Sequence, residues 1–351
     1  PGGGATRIIY NGASKDRARL SAERSGDNSL LALQPSAGLR IVLHGTTQLE
    51  QNQQAKNAFI IAANRWEAVI ANPITVVIDV DFGPTFFGQP YGNADILGQT
   101  GTASAIGPYS DLRQRLINGA STNAETQLYN ALPATQVPIE TDGVVTNVTN
   151  VRVVRPNARA LGIVPDITNP DPIPLGQADA GIGFNSAFSF DFNPDDGITN
   201  GLTDFDSVAV HEIGHALGFV SNTGGLTAGT TLTIWDLFRF RPSTATLASF
   251  ATAPRVMSVG GSQIYFNNQL NTFATFELGL STGGPTPSSG IGDGRQSSHW
   301  RDDDLTPTKQ YIGIMDPTLD DGVRRMISEN DLQALDMFGY RLGGPPLVRP
   351  P

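Results

Sequence analysis

The chain has no cysteine among its 351 residues. That absence removes disulfides, thiolate metal ligands and a cysteine nucleophile together, so any metal must be held by His, Asp or Glu. Histidine is scarce as well, limited to His44, His211, His215 and His299. Basic residues do not outweigh the acids: 23 Lys and Arg stand against 33 Asp and Glu, a net charge of -10. A phosphate-backbone partner is normally met by a basic stripe, so the expectation is no nucleic-acid partner. No apolar run reaches the ~20 residues that cross a bilayer, and Pro1-Gly2-Gly3-Gly4 lacks the charged and apolar regions of a signal peptide. The expectation is a soluble, already processed chain without a transmembrane segment.

What is present fits a loop-rich folded protein. Hydrophobic residues make up 39% of the chain and charged ones 16%, with 39 Gly and 24 Pro, a balance far from that of disordered chains. Few Lys, many Thr, Asn and Gly, and an acidic surface read as an exported, secreted or cell-surface protein of bacterial type.

Residues 1–36 mix Gly, Ser, Arg and Asp with little apolar period and read as an extended lead-in or the remnant of a pro-segment. A strand over 39–43, an amphipathic helix over 51–70 and a β-branched strand over 74–80 then open an α/β lobe. Helices are expected over 109–117 and 123–132, a strand over 151–154, and two short strands joined by a turn near Asn185-Ser186 within 180–192. Thr203, with Asp206 three residues on, predicts the cap of a helix running from about Asp204 to Leu217 and ended by Gly218. Residues 224–294 are Gly/Thr/Ser-rich with β-like pieces such as 263–266. A last helix runs from Ser328–Asp331 through Met337, with Gly339 to end it, and 343–351 form a Gly/Pro linker tail.

His211-Glu212-Ile213-Gly214-His215 carries the chemistry. Residues i and i+4 share one helical face, so two imidazoles grip one ion, and the glutamate one residue past the first ligand reaches the water that such a metal activates. Catalytic zinc uses three protein ligands and keeps one position open. The bland alternative is an accidental pattern on a buried helix.

Extended to His211-Glu212-Ile213-Gly214-His215-Ala216-Leu217-Gly218, the motif resembles that of metzincin metallopeptidases, whose third histidine follows three residues after the glycine. Ser221 stands there instead. His299, in Ser297-Ser298-His299-Trp300, is followed sixteen residues later by Met315 in Gly313-Ile314-Met315-Asp316-Pro317, which resembles the Met-turn beneath the metal. This order, with His299 84 positions after His215, is similar to leishmanolysin-like metallopeptidases, bacterial relatives closest.

The resemblance implies a zincin/metzincin-like α/β (α+β) fold with two lobes around a cleft. A twisted sheet with long helices would make an N-terminal catalytic lobe (37–222), and an irregular C-terminal lobe (223–342) would carry a β-rich insertion. It implies a zinc endopeptidase acting on protein or peptide substrates, with His211, His215 and His299 on zinc, Glu212 as general base and Met315 as support. The strands of 180–192 would form the upper rim of the cleft, an edge strand pairing with substrate. A cysteine-based latency switch is excluded.

Several residues carry rival readings. Asp236 and Glu277 compete with His299 as third ligand, since other zinc peptidases use a downstream carboxylate. His44 ends a predicted strand and reads as locally packed. Asp195, Asp196, Asp302, Asp303 and Asp304 are candidates for a structural calcium, against solvated acidic loops. Trp235 and Trp300 line a cleft or fill the core, and Asp16 and Asp27 are candidates to contact zinc in a latent form. The second functional class is a noncatalytic extracellular adhesion or binding protein stabilised by zinc.

Overall fold

The computed structural model describes residues 7–11, 38–92, 94–168, 170, 173–224, 231–244, 246–266, 281–282 and 292–343. The first part of the chain forms β1 (Arg7–Asn11), β2 (Arg40–Gly45), α1 (Thr47–Glu50), α2 (Gln53–Glu67), β3 (Thr75–Gly83), β4 (Ile96–Thr102), β5 (Ser104–Pro108), α3 (Tyr109–Gly119) and α4 (Asn123–Ala131). Next come β6 (Val137–Thr141), β7 (Val144–Val148), β8 (Asn150–Val154), α5 (Arg155–Ala160), β9 (Ala180–Asn185), β10 (Phe190–Asp191), β11 (Thr203–Asp204) and α6 (Phe205–Leu217). The last part holds β12 (Leu232–Thr233), β13 (Arg239–Phe240), α7 (Leu247–Thr252), β14 (Arg255–Val256), β15 (Ile264–Tyr265), β16 (Thr318–Leu319) and α8 (Glu329–Met337).

The main sheet has six strands in the order β16-β1-β4-β9-β3-β2. β2, β3 and β9 run parallel, β4 is antiparallel to β9, and β1 lies parallel to β4 and antiparallel to β16. The run Thr75-Val76-Val77-Ile78 opens a strand with both faces covered, as a central parallel strand requires.

α2 and α6 pack together on one face of the sheet. Asn52 caps α2 by accepting from Ala55 N at 3.0 Å, and Ala55, Ala58, Phe59, Ala62, Ala63 and Trp66 form its buried side. Trp66 Nε1 donates to the Val210 carbonyl at 2.9 Å, and Arg65 pairs with Asp206 at 2.7 Å, fixing the register of the two helices. Phe59, Phe184 and Phe205 meet between helices and sheet with centroids 4.4–5.0 Å apart. One hydrophobic cluster runs from Leu39 to Tyr340.

The expected strand and helix over 39–70, the strand over 74–80, the helices at 109 and 123 and the last helix are present with shifted ends. Gly339 follows α8 at φ 91°. The two short strands within 180–192 are present as β9 and β10. Two expectations are corrected. β9 is not an edge strand: it lies inside the main sheet between β3 and β4, and β10 pairs with β11. The outer neighbour of β9, running antiparallel to it, is β4, an element with no clear period in the sequence. The cap of α6 is Asp204, whose carboxylate accepts from Ser207 N at 3.2 Å, because Thr203 is held in β11 with its hydroxyl turned to Asp321 at 2.7 Å. Of the 1–36 lead-in, Arg7–Asn11 is a sheet strand, and the rest, with Asp16 and Asp27, lies outside the described residues, as do Glu277 and residues 344–351.

Candidate metal centre

Every residue of α6 is buried, so the helix carries His211, Glu212 and His215 into the core already stripped of water. Gly218 ends it at φ 130°, a conformation closed to most side chains, and turns the chain so that the Phe219 carbonyl returns over His215. His215 Nδ1 donates to that carbonyl at 2.6 Å. His211 Nδ1 donates to the Ile314 carbonyl at 2.7 Å, and His299 Nδ1 to the Gln296 carbonyl at 2.8 Å.

A carbonyl only accepts, so each Nδ1 carries the proton and each Nε2 presents a lone pair. The three Nε2 atoms converge: His215 and His211 stand 3.0 Å apart, His211 and His299 3.2 Å. Acceptors facing one another at this range repel unless a cation lies among them. Nitrogens at about 2.0–2.1 Å from one tetrahedral zinc are about 3.3 Å apart, so the donor set fits such an ion. Burial pushes His211 and His215 well below the ordinary imidazole range, reinforced by charge repulsion within the cluster, and burial takes His299 down to about 4. All three are therefore neutral at pH 7, the form that ligates.

Glu212 is fully buried. Its Oε2 accepts from the Thr100 hydroxyl of β4, and the Glu212 backbone carbonyl lies 3.1 Å from the same hydroxyl, sharing its one proton. Oε1 has no hydrogen-bond partner among the described residues. Burial pushes the carboxyl well above the usual carboxylate range, against the opposing pull of the Thr100 bond.

Met315 lies beneath α6 with no exposed surface, and a Cβ placed on Gly214 would stand 2.6 Å from its sulfur. Only glycine lets helix and turn approach this closely. The turn is also tied to the third histidine, because Trp300 N donates to the Met315 carbonyl at 3.0 Å.

The geometry is that of a zincin-type metal-binding motif: His211-Glu212-x-x-His215 with His299 as a third ligand, able to hold a divalent cation. No protein-family model, curated protein or solved structure matches the chain. The site's chemistry therefore carries the functional argument.

The rival candidates lie elsewhere. Asp236 accepts from the Ser221 hydroxyl, from Asn222 N at 3.0 Å and from both Thr233 N and Oγ1 at 3.0 Å, so it braces the loop after α6. Ser221, at the position of the short-spaced histidine, donates its N–H to Ser298 Oγ at 2.8 Å and so attaches this loop to the residue before His299. His44 sits on β2 beside Asp79 at 3.5 Å, outside the three-histidine cluster. Trp235 and Trp300 are both buried and meet edge-on in the core at 5.3 Å.

A second group, Asp302, Asp303 and Asp316, brings three carboxylates together. Arg295 and Arg325 already face Asp302 and Asp303 at 2.5 Å, and Thr318 donates to Asp302 at 3.0 Å. Asp304 pairs with Lys309 on the surface, and Asp195 and Asp196 lie in an exposed loop. Sequence reasoning missed Thr100, the three carbonyls behind the imidazoles, and Asp331. Only Asp331 had a signal, as the fourth residue of Ser328-Glu329-Asn330-Asp331, where it reads as no more than a cap.

Proposed function

We propose that the chain is a zinc-dependent endopeptidase of metzincin type, similar to the bacterial leishmanolysin-like group. His211, His215 and His299 are the zinc ligands, Glu212 the general base and Met315 the floor of the site. The observation that carries this reading is the open Oε1 of a buried Glu212, next in sequence to the first of three converging imidazoles. A structural zinc site closes with four protein ligands and has no use for a buried acid with a free oxygen.

Zinc bound there would supply Lewis acidity toward a peptide carbonyl and toward water. The charge of a cation held by the three imidazoles would favour the carboxylate form of Glu212 against its burial, so that Glu212 takes the water proton on Oε1 while Thr100 holds Oε2 still, and then passes that proton to the departing amine nitrogen. The buried imidazoles stay neutral through the cycle because their Nδ1 protons are committed to carbonyls. Substrates are proteins or peptides. We place the chain in a secreted or cell-surface setting on its Lys-poor, Thr/Asn/Gly-rich, acidic composition, and read 37–222 and 223–342 as two lobes flanking the site.

Glu212→Gln tests the reading. About one zinc per chain should remain, by elemental analysis, while casein hydrolysis disappears. Unchanged hydrolysis would overturn the mechanism; tightly bound zinc with no hydrolysis even in the wild type would favour the noncatalytic binding protein.

A further inference from the structure

Two of the three histidines are steadied from one point outside the metal centre. Asp331, in the first turn of α8, is fully buried. Its Oδ1 accepts from Trp300 Nε1 at 2.8 Å, and its Oδ2 accepts from Ile314 N at 2.8 Å and from Ser328 N at 2.7 Å. Trp300 follows His299 in the chain. Ile314 is the residue whose carbonyl accepts from His211 Nδ1. The carboxylate also fills the space that a side chain at Gly313 would need. One acid thus joins the base of the last helix, the third-ligand segment and the turn that orients the first ligand.

We propose that Asp331 is a positioning residue for the metal centre, setting His211 through Ile314 and His299 through Trp300. The inference rests on reading the three histidines as one metal site, and it is independent of what reaction that site performs. An ordinary helix cap needs only the Ser328 N–H bond. The other two bonds leave the helix and end on the segments that hold ligands, which a capping role does not require. Partners that orient ligating imidazoles typically cost ~10- to 100-fold in metal affinity when removed.

Asp331→Asn keeps the shape and replaces one oxygen by an NH2, so either Trp300 or the Ile314/Ser328 pair faces a donor instead of an acceptor. The readouts are the zinc dissociation constant by competition with a chelating dye, the visible spectrum of the cobalt-loaded full chain, and the imidazole N–H protons by NMR. The expected result is at least tenfold weaker zinc binding, an altered cobalt spectrum, and a shifted or lost His211 Nδ1–H signal. The His215 signal, whose carbonyl partner is Phe219, should stay in place. Ser328→Ala, which removes a cap hydroxyl and leaves the carboxylate, should match the wild type in all three. A folded Asp331→Asn protein with zinc affinity within twofold of wild type and a superimposable cobalt spectrum would overturn the assignment. Should the Asn variant not fold, Trp300→Phe carries the test: it removes the tether to the His299 segment alone. An unchanged zinc affinity there would overturn the His299 half.

Discussion

The Thr100 hydroxyl, with one proton to give, faces Glu212 at two acceptors, the side-chain Oε2 and the backbone carbonyl at 3.1 Å, so a sheet strand holds the buried acid of α6 in place. The bond selects which carboxylate oxygen is left free. Thr100→Val keeps the shape and removes the donor. Casein turnover should fall about 10-fold, less than the ~10²–10⁴-fold ascribed to an acid–base group itself because Glu212 remains, with zinc content unchanged; loss of zinc instead would mean that Thr100 supports the fold of the site and not the acid.

Zinc content separates the four histidines. His299→Ala should lose zinc and hydrolysis together, whereas His44→Ala should keep both, because His44 stands on β2 beside Asp79. Elemental analysis of the two purified variants decides it. Retention of a full equivalent of zinc in His299→Ala would remove this residue from the ligand set.

Gly214→Ala should be poorly tolerated. The new methyl would stand 2.6 Å from Met315 Sδ and 3.4 Å from Trp66 Cζ2, both fully enclosed, and overpacking of this kind costs about 1–3 kcal/mol. Urea unfolding should show that loss, and Met315→Ala in the same chain should recover part of it. An additive double variant would mean that the two residues do not press on each other.

Asp336 gives a pH dependence away from the metal. Burial, followed by its hydrogen bond and charge repulsion with Glu125, raises its carboxyl from 3.8 to about 8. The folded state therefore holds the proton more tightly than the unfolded one, and the stability this confers is complete below about pH 4 and lost as pH rises through about 8. Glu125 is shifted downward, its hydrogen bonds outweighing burial, so its contribution changes only at acid pH. Between pH 5 and 8 wild-type stability should fall relative to Asp336→Asn, by an amount on the order of 1–3 kcal/mol. Parallel stability curves for the two proteins over that range would contradict the shift.

The parts of the fold that could be read in advance are those with a strong local pattern. α2 shows its apolar stripe, β3 its β-branched run, and α8 its Ser328–Asp331 cap. β4 could not be read: Ile96-Leu97-Gly98-Gln99-Thr100-Gly101-Thr102 has no alternation, because its place between β1 and β9 and under α6 is imposed by tertiary packing. That is also why Thr100 escaped notice. Periodicity signals a strand without naming its neighbours, so β9 was expected as an edge and stands inside the sheet between β4 and β3. At the site, His211 and His215 were legible from their spacing and His299 from the scarcity of histidine together with the Met-turn resemblance, whereas the carbonyls of Phe219, Gln296 and Ile314 carry no residue identity to read. Asp331 was visible as a cap, but its bonds to Trp300 and Ile314 arise only once the chain has folded.

The 84-residue separation of His215 from His299 sets a timetable. While the chain is being synthesised, the first two histidines emerge together on one helix, but the third follows only after most of the remaining sequence. On the proposed ligand set, tight zinc loading would wait until His299 is in place, because two imidazoles alone offer an incomplete grip. Closing so long a loop is entropically only slightly costlier than closing a short one, about 0.6 kcal/mol per doubling of length. The ion, once held, would bind the two ends of that loop together, so a chain cut short anywhere before residue 299 would emerge without a functioning centre, however well its first two hundred residues fold.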